Sequence, residues 1–594
     1  MRVSDALVTL LRDWNTRYVF GVSGANIEHL HDAIHRLGQG KLQSVMARRE
    51  DGAAFMADAR ARVHRTLGVC CSTSGGGMMN LAVGLAESYA ESVPVLALIG
   101  QPPTVLEGRG AFQDASGIGR TVDAEAMLGA LTKKVIKLGA PDTFWRDVLD
   151  AARTALSGRP GPVALLVPRD VFEVEVGDRP DDYPETLADV AERPVFDHHA
   201  TRLLFDEISR AKRPVFVLGH GVRRSSNPSA VVRFAQLTGV PVATTMSARA
   251  EFPNDDPRYL GVLGVAGHTS VVDTVLDADL VVAIGAGLNM MTRGPVAELN
   301  GAAVAVVNLD PGEVVRAVNP RIVVQGDAGL TFEHLLRLWE VEPFQVPPPA
   351  AYELRRFLPR LAPSVPSRPS GHGFTGDDLR QSEALALLES HLPRNGHVVL
   401  DAGNCASAAI HLSDVPAGGT STIALGMGGM GYSLAAAVGA QLGSPPGTRT
   451  TVLCGDGAFL MNGLELHTAV DLRLPVLFVI FNNNMHGMCV TRQQTFFDAR
   501  IECVHYAPVN VAQLARGLGA AESLWVASAG TADELRTHLA DYHERHPDLP
   551  GVLELRIPAE EMPPFTTLLP PDEPTVPVPV PRASEALTCA ALSS

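Results

Sequence analysis

The sequence predicts an α/β protein built from three doubly wound parallel-sheet domains. Three observations carry that prediction. Short apolar runs ending in glycine, serine or proline alternate with stretches of helical spacing along most of the chain, as buried parallel strands joined by crossover helices should. The alternation falls into three blocks of similar size, without an internal repeat. At 594 residues the chain is too long for one core, and roughly 150 residues per domain suggests three or four.

The first block spans residues 1–172. Its opening "MRVSDALVTLLRDW" is interrupted by Asp5, Arg12 and Asp13, so it reads as an amphipathic helix and not as a signal peptide. "RYVFGVSG", "LGVCCSTSGGG", "VPVLALIGQ" and "GPVALLVPRD" are its strands. The second block, 195–340, holds "RPVFVLGHG", "ADLVVAIGAG" and "AAVAVVNLD". Proline-rich residues 341–375 read as a linker. The third block, 376–558, holds "GHVVLDAGN", "RTTVLCGDG" and "PVLFVIFNNN". Residues 559–594, with "PPDEPTVPVPVP", are too proline-rich for a packed element and read as a mobile tail.

Composition narrows the function. Hydrophobic residues make up 46% and charged residues 19%, an ordinary globular balance. A net charge of −16 without any basic run argues against nucleic acid or an anionic membrane surface as partner. No apolar run reaches the roughly 18 residues of a membrane span. Seven cysteines without a Cys-x-x-Cys pair read as a reduced, cytoplasmic pattern, with neither a disulfide framework nor a zinc site.

In doubly wound sheets ligands bind beyond the carboxyl ends of strands, and two such ends stand out. "TTVLC" reads as a strand, "LMNGLELHTAVDL" as a crossover helix and "PVLFVIF" as the next strand. A right-handed crossover makes the two strands neighbours, so Asp456 and Asn483 emerge at one edge. The helix start between them favours an anion. A carboxylate, an amide oxygen and nearby carbonyls suit Mg²⁺ shared with a phosphate, and Gly455 and Gly457 let the backbone approach closely. Alone, Asp-Gly is ordinary turn material; the paired strand ends select a Mg²⁺–diphosphate site.

The Gly-Asp-Gly to Asn-Asn spacing resembles the signature of thiamine-diphosphate-dependent enzymes. The likeness runs from residue 1 to about 558 and is strongest to the acetolactate synthase branch, with local echoes of benzaldehyde lyase. It implies pyrimidine-binding, central and diphosphate-binding domains in that order. By the resemblance, Asp456, the Asn483 side chain and the Met485 carbonyl hold the metal. Asn404, Cys405, Gly455, Gly457, Ala458, Gly487 and Met488 surround the diphosphate. The Gly428 carbonyl accepts from the aminopyrimidine, Met430 wedges the two rings into a bent conformer, and Gly24, Ala25 and Gly76 face the cofactor.

The family glutamate that bonds the aminopyrimidine matches Glu50, in "MARREDGAAFMADARAR". Read without the family, Glu50 and Asp51 are acids at a helix start, favoured there by the dipole. Arg49 stands where the family usually has histidine, and Gly76, in "TSGGGMMN", where the synthases usually have proline. "GRGAFQDASG", otherwise a glycine-rich surface loop, resembles the synthase segment that places Phe112 and Gln113 in the substrate pocket, with Gln113 near the chemistry.

The resemblance implies a carboligase: a 2-keto acid or other acyl donor yields an acyl carbanion that a second carbonyl traps. The adjacent histidines of pyruvate decarboxylase-like enzymes have no counterpart near "GAFQDAS", leaving His29, His31 and His486 as candidate acids. Arg492, in "HGMCVTRQQTFF", occupies the place of a synthase tryptophan, where a guanidinium can grip a carboxylate or phosphate. Ser23 and Asn26, in "GVSGANIEHL", replace histidines of benzaldehyde lyase and complete the expected pocket. FAD, implied for the central domain by the synthases, is disfavoured because an expected arginine is replaced near Gly287 and "NMM" replaces an acidic run. The family arrangement, with the cofactor enclosed by two subunits, implies a homodimer or homotetramer. The alternatives are a non-oxidative 2-keto acid decarboxylase and, of another class, an inactive cofactor-binding regulatory subunit.

Overall fold

The computed structural model describes residues 1–296, 299–347, 353–360, 377–557 and 561–565, together with the backbone of 575–579. Much of the expected linker and tail, including Cys589, lies outside the described residues.

Three six-stranded sheets, each with all its strands parallel, follow one another along the chain. The first contains β1 (Tyr18–Gly21), β2 (Gln43–Met46), β3 (Gly68–Ser72), β4 (Val95–Gln101), β5 (Lys134–Lys137) and β6 (Val163–Pro168), in the order β2-β1-β3-β4-β6-β5. The second contains β7 (Pro214–Leu218), β8 (Val242–Thr245), β9 (Tyr259–Leu263), β10 (Leu280–Ile284), β11 (Ala303–Asn308) and β12 (Ile322–Gln325), in the order β12-β11-β10-β7-β8-β9. After β13 (Glu353–Phe357), the third sheet comprises β14 (His397–Leu400), β15 (Thr420–Ile423), β16 (Thr450–Gly455), β17 (Val476–Asn482), β18 (Trp525–Ala529) and β19 (Gly551–Arg556), ordered β15-β14-β16-β17-β19-β18. β3, β4, β6 and β17 are buried at every residue. Helices cover both faces of such strands, which explains continuous apolar runs in place of alternation.

A helix pair joins the first and third blocks. Glu50–His64 is buried at most positions after its first turn, and Tyr432–Gln441 is buried at every position. Helices apolar all round belong inside a larger core. Their close approach needs small residues: a Cβ on Gly439 would lie 2.0 Å from the Met56 carbonyl oxygen. Phe55 meets Tyr432 edge-to-face, with ring centroids 5.3 Å apart, and one continuous apolar core runs through both blocks.

Two expectations need correction. Thr575–Pro579, in the segment expected to lack packed elements, is a strand (β20) that pairs antiparallel with β13 from the expected linker. Both strands are edges of a two-stranded sheet, the place where strand prolines are tolerated. The crossover between β16 and β17 is not one helix. It consists of Asp456–Asn462 and Glu465–Asp471, interrupted at Gly463 and Leu464.

Candidate active site

β16 and β17 pair in register to Gly455↔Phe481, so both ends stop at one edge. Asp456 follows the first end and is 2% exposed. Its carboxylate accepts N–H bonds from Gly457 (3.0 Å) and, across the edge, from Asn484 (2.6 Å). The Asn483 amide oxygen accepts from Met485 N–H at 3.1 Å, folding the asparagine run into a compact turn. Burial pushes the Asp456 carboxyl above its ordinary value, opposed by these N–H donors and by the nearby Tyr506 hydroxyl. Tyr506 packs edge-on to His486, with centroids 5.6 Å apart. Its buried hydroxyl makes no well-formed hydrogen bond among the described residues.

A cavity of about 80 Å³ opens here. Twelve of the residues singled out from sequence line it: Asn404, Cys405, Met430, Gly455, Asp456, Gly457, Ala458, Asn483, Met485, His486, Gly487 and Met488. Gly403 (φ +107°) and Gly428 (φ +65°) adopt left-handed backbone and face open space, since an added Cβ would meet nothing within 4 Å. A Cβ on Gly457 would come 2.8 Å from His486 Nδ1 and 3.3 Å from Met430 Cε, so glycine lets the methionine close over the turn.

A second cluster forms at the carboxyl ends of β1 and β3. Glu50 begins its helix and accepts a hydrogen bond from Asn80 Nδ2 at 2.8 Å. Added Cβ atoms on Gly24 and Gly77 would touch Thr73, and one on Gly77 would also come 3.1 Å from Glu50 Oε1. Thr73 Oγ1 donates to Gln113 Oε1 at 2.8 Å. Gln113 sits at φ +62°, beside Gly75, while its neighbour Phe112 is 80% exposed. Ser23, Ala25 and Gly76 are exposed.

Three placements differ from expectation. Asn26 is 5% exposed and donates to Ser74 Oγ (2.8 Å) and Gln113 Oε1 (3.5 Å), so it supports the pocket from behind and does not line it. Arg492 lies outside the cavity lining, with a guanidinium nitrogen 3.3 Å from Cys489 Sγ. His29 and His31 are drawn elsewhere, to Glu173 and to Ser44, leaving His486 in the lining. None of the Glu50 cluster lines the Asp456 cavity, so the chain carries two half-sites.

Comparison with known proteins agrees with this layout. Residues 1–119 match the thiamine pyrophosphate enzyme N-terminal TPP binding domain, 202–335 the central domain and 401–549 the C-terminal TPP binding domain. A probable acetolactate synthase large subunit of Methanocaldococcus jannaschii is 30% identical over 524 residues, covering 85% of this chain and 84% of that protein. The chain belongs to the thiamine pyrophosphate enzymes. Its branch is acetolactate synthase-like: the isozyme 1 large subunit of Escherichia coli is 28% identical over 87% of this chain and 88% of its own, and acetolactate synthase 2 of Zea mays is 30% identical over 84% and 76%.

The donor set fits the group these domains bind. Among the described residues no cluster of three His, Cys, Asp or Glu side chains could hold a metal. The Asp456 edge instead offers one carboxylate, one amide and main-chain carbonyls, which suits a hard cation whose remaining positions go to phosphate and water. The central sheet has its own crevice, about 150 Å³, where the strand order reverses between β7 and β10. Gly219–Gly221, Gly285–Gly287 and Asp310 are among the residues that line it. Arg159 and Arg224 line it and donate to the main-chain carbonyls of Ala90, Glu91 and Ser92.

Sequence reading missed several residues. Thr73 and Asn80 bracket a quoted motif, so their signal was present. Gln381 and Tyr506, which line or adjoin the Asp456 cavity, stand in stretches with no local pattern.

Proposed function

We propose that this thiamine pyrophosphate enzyme is a Mg²⁺-dependent carboligase, transferring the acyl unit of a 2-keto acid or other acyl donor to a second carbonyl compound. The observation that carries the reading is the pair of half-sites, one built for a metal-bound diphosphate and the other around Glu50. When bound, thiamine diphosphate supplies the electron sink for the acyl carbanion. Asp456, the Asn483 amide and the Met485 carbonyl hold Mg²⁺. Glu50, oriented by Asn80, would hydrogen-bond the bound aminopyrimidine and hold or give up a proton at its carboxylate. The Gly428 carbonyl would accept from the bound group's amino function, and Met430, which lies close over Gly457, would support it. Gln113 has its oxygen occupied by Thr73, so its NH₂ is left to donate to a substrate oxygen.

We further propose that two copies enclose each cofactor. Exposed Met79, Val83, Phe112, Met427, Leu460 and Leu464 lie beside the two half-sites, an apolar surface that a second copy would cover. A homodimer or homotetramer fits these faces, and a reducing cytoplasm fits seven cysteines without a Cys-x-x-Cys pair. Flavin is left out of the assignment, and flavin absorbance in the purified protein would reverse that choice.

A mass-spectrometric screen of 2-keto acid donors against aldehyde and keto-acid acceptors tests the reaction. The expected product is an acyloin or acetohydroxy acid, whereas free aldehyde alone would favour the decarboxylase. Calorimetry tests the site: thiamine diphosphate uptake should require Mg²⁺ and be lost in Asp456→Asn. Equal uptake without the metal would overturn the ligand assignment.

A further inference from the structure

Two buried glutamates cross between the blocks and end on main-chain N–H groups of segments next to the cofactor. Glu87, 0% exposed, belongs to the helix Gly76–Ala90 of the first block. Its carboxylate accepts from Gly426 N (3.2 Å) and Met427 N (2.7 Å) of the third block. These amides immediately precede Gly428 and lie three to four residues before Met430. Glu465, 1% exposed, begins the helix Glu465–Asp471 of the third block. Its Oε1 accepts from Arg48 N (2.9 Å) and Arg49 N (3.1 Å), the two amides ahead of Glu50. Each block thus grips the cofactor-facing segment of the other.

The surrounding residues fit this use. A Cβ on Gly426 would lie 2.6 Å from Ala90 Cβ, and one on Gly52 only 2.2 Å from Glu465 Oε1, so both grips require glycine at the point of contact. Thr468 Oγ1 donates to Glu465 Oε2 at 2.8 Å. Arg62, held by Asp58 at 2.6 Å, reaches Glu87 Oε1 at 3.4 Å, and the Tyr432 hydroxyl donates to Asp58 at 2.9 Å. Asn80 and Glu87 are seven residues apart on one helix, hence on one face. That helix therefore orients Glu50 at one end and the 426–427 amides at the other.

We propose that Glu87 and Glu465 are positioning residues that form a reciprocal clasp: Glu87 sets the Gly428 carbonyl and Met430, and Glu465 sets the start of the Glu50 helix. Neither carboxylate touches cofactor or substrate; each acts through main chain that does. The proposal rests on the thiamine-site reading for its consequence in catalysis, but not for the clasp itself. Under that reading one chain's Glu50 and Gly428 serve different cofactors, and the clasp ties the two sites together.

Amide hydrogen exchange on the full-length apo protein, read by mass spectrometry, tests the clasp directly. In the wild type, Gly426 and Met427 should exchange at least tenfold more slowly than Gly428 and Gly429. Glu87→Gln, nearly isosteric but left with one accepting oxygen where two are used, should lower that protection and leave Arg48–Glu50 unchanged, and Glu465→Ala, which removes the one oxygen that accepts both amides, should do the reverse. Rapid exchange at 426–427 in the wild type would overturn the proposal even if no variant folds, as would unchanged protection in both folded variants. On the Mg²⁺–thiamine diphosphate-loaded protein, deuterium exchange at the cofactor's C2 should slow at least tenfold in each variant, with the substrate KM little changed. A raised KM with unaltered C2 exchange would mean that the carboxylates do not position the cofactor. Should the wild type take up no thiamine diphosphate, the functional reading fails while the amide data still decide the clasp.

Discussion

Glu91 has a carboxylate that the structure makes expensive to ionise. It is buried one helical turn beyond Glu87, and burial pushes its carboxyl from 4.5 up to about 7, with Arg62 opposing the shift, Glu87 and Asp58 adding to it and Arg224 opposing it. The nearest cation, Arg62 NH1, stands 3.6 Å from Oε2, an oxygen without a hydrogen-bond partner among the described residues. His220 Nδ1, 3.8 Å away, stays neutral because burial lowers it to about 3. Between pH 4.5 and about 7 the folded state holds the Glu91 proton and the unfolded state does not, so stability falls as pH rises through that interval and levels above it. At about 1.4 kcal/mol per pH unit the loss comes to about 3 kcal/mol. Glu91→Gln removes the ionisation and should therefore gain about 3 kcal/mol over the wild type between pH 4.5 and 8. The assay is urea unfolding followed by circular dichroism on both proteins across that range. The difference between the two curves isolates Glu91, because other groups held away from their ordinary values, such as His64 and His397, contribute equally to both. Parallel curves, with a constant gap from pH 4.5 to 8, would refute the reasoning.

Two further outcomes follow from the sites. Glu50→Gln should lower turnover by about 10²–10⁴ while Mg²⁺-dependent cofactor binding by calorimetry stays within a few-fold, and an unaffected rate would remove Glu50 from its role. Gly52→Ala drives Glu465 off two N–H donors, each worth about 1.5–3 kcal/mol, against a helix gain of about 1 kcal/mol. A net loss of about 2–5 kcal/mol in chemical unfolding is expected, whereas Gly129→Ala, whose added Cβ meets nothing within 4 Å, should cost nothing.

The sequence by itself determined the three parallel-sheet blocks and the Asp456 edge. Both arise from local physics: apolar strands alternating with helices impose the crossovers, and a crossover puts successive strand ends side by side. Glu50 was legible only through family likeness, since an acid at a helix start is otherwise unremarkable. Tertiary structure decided what periodicity does not encode. The Glu87 grip on Gly426 spans 339 positions and the Glu465 grip on Arg48 spans 417, and neither leaves a pattern near the glutamate. The burial of Asn26, the strand in the proline-rich tail and the placement of Glu50 and Asp456 in separate half-sites are likewise properties of packing. A buried carboxylate must find donors wherever the fold brings backbone amides to it, and only the assembled domains determine which amides those are.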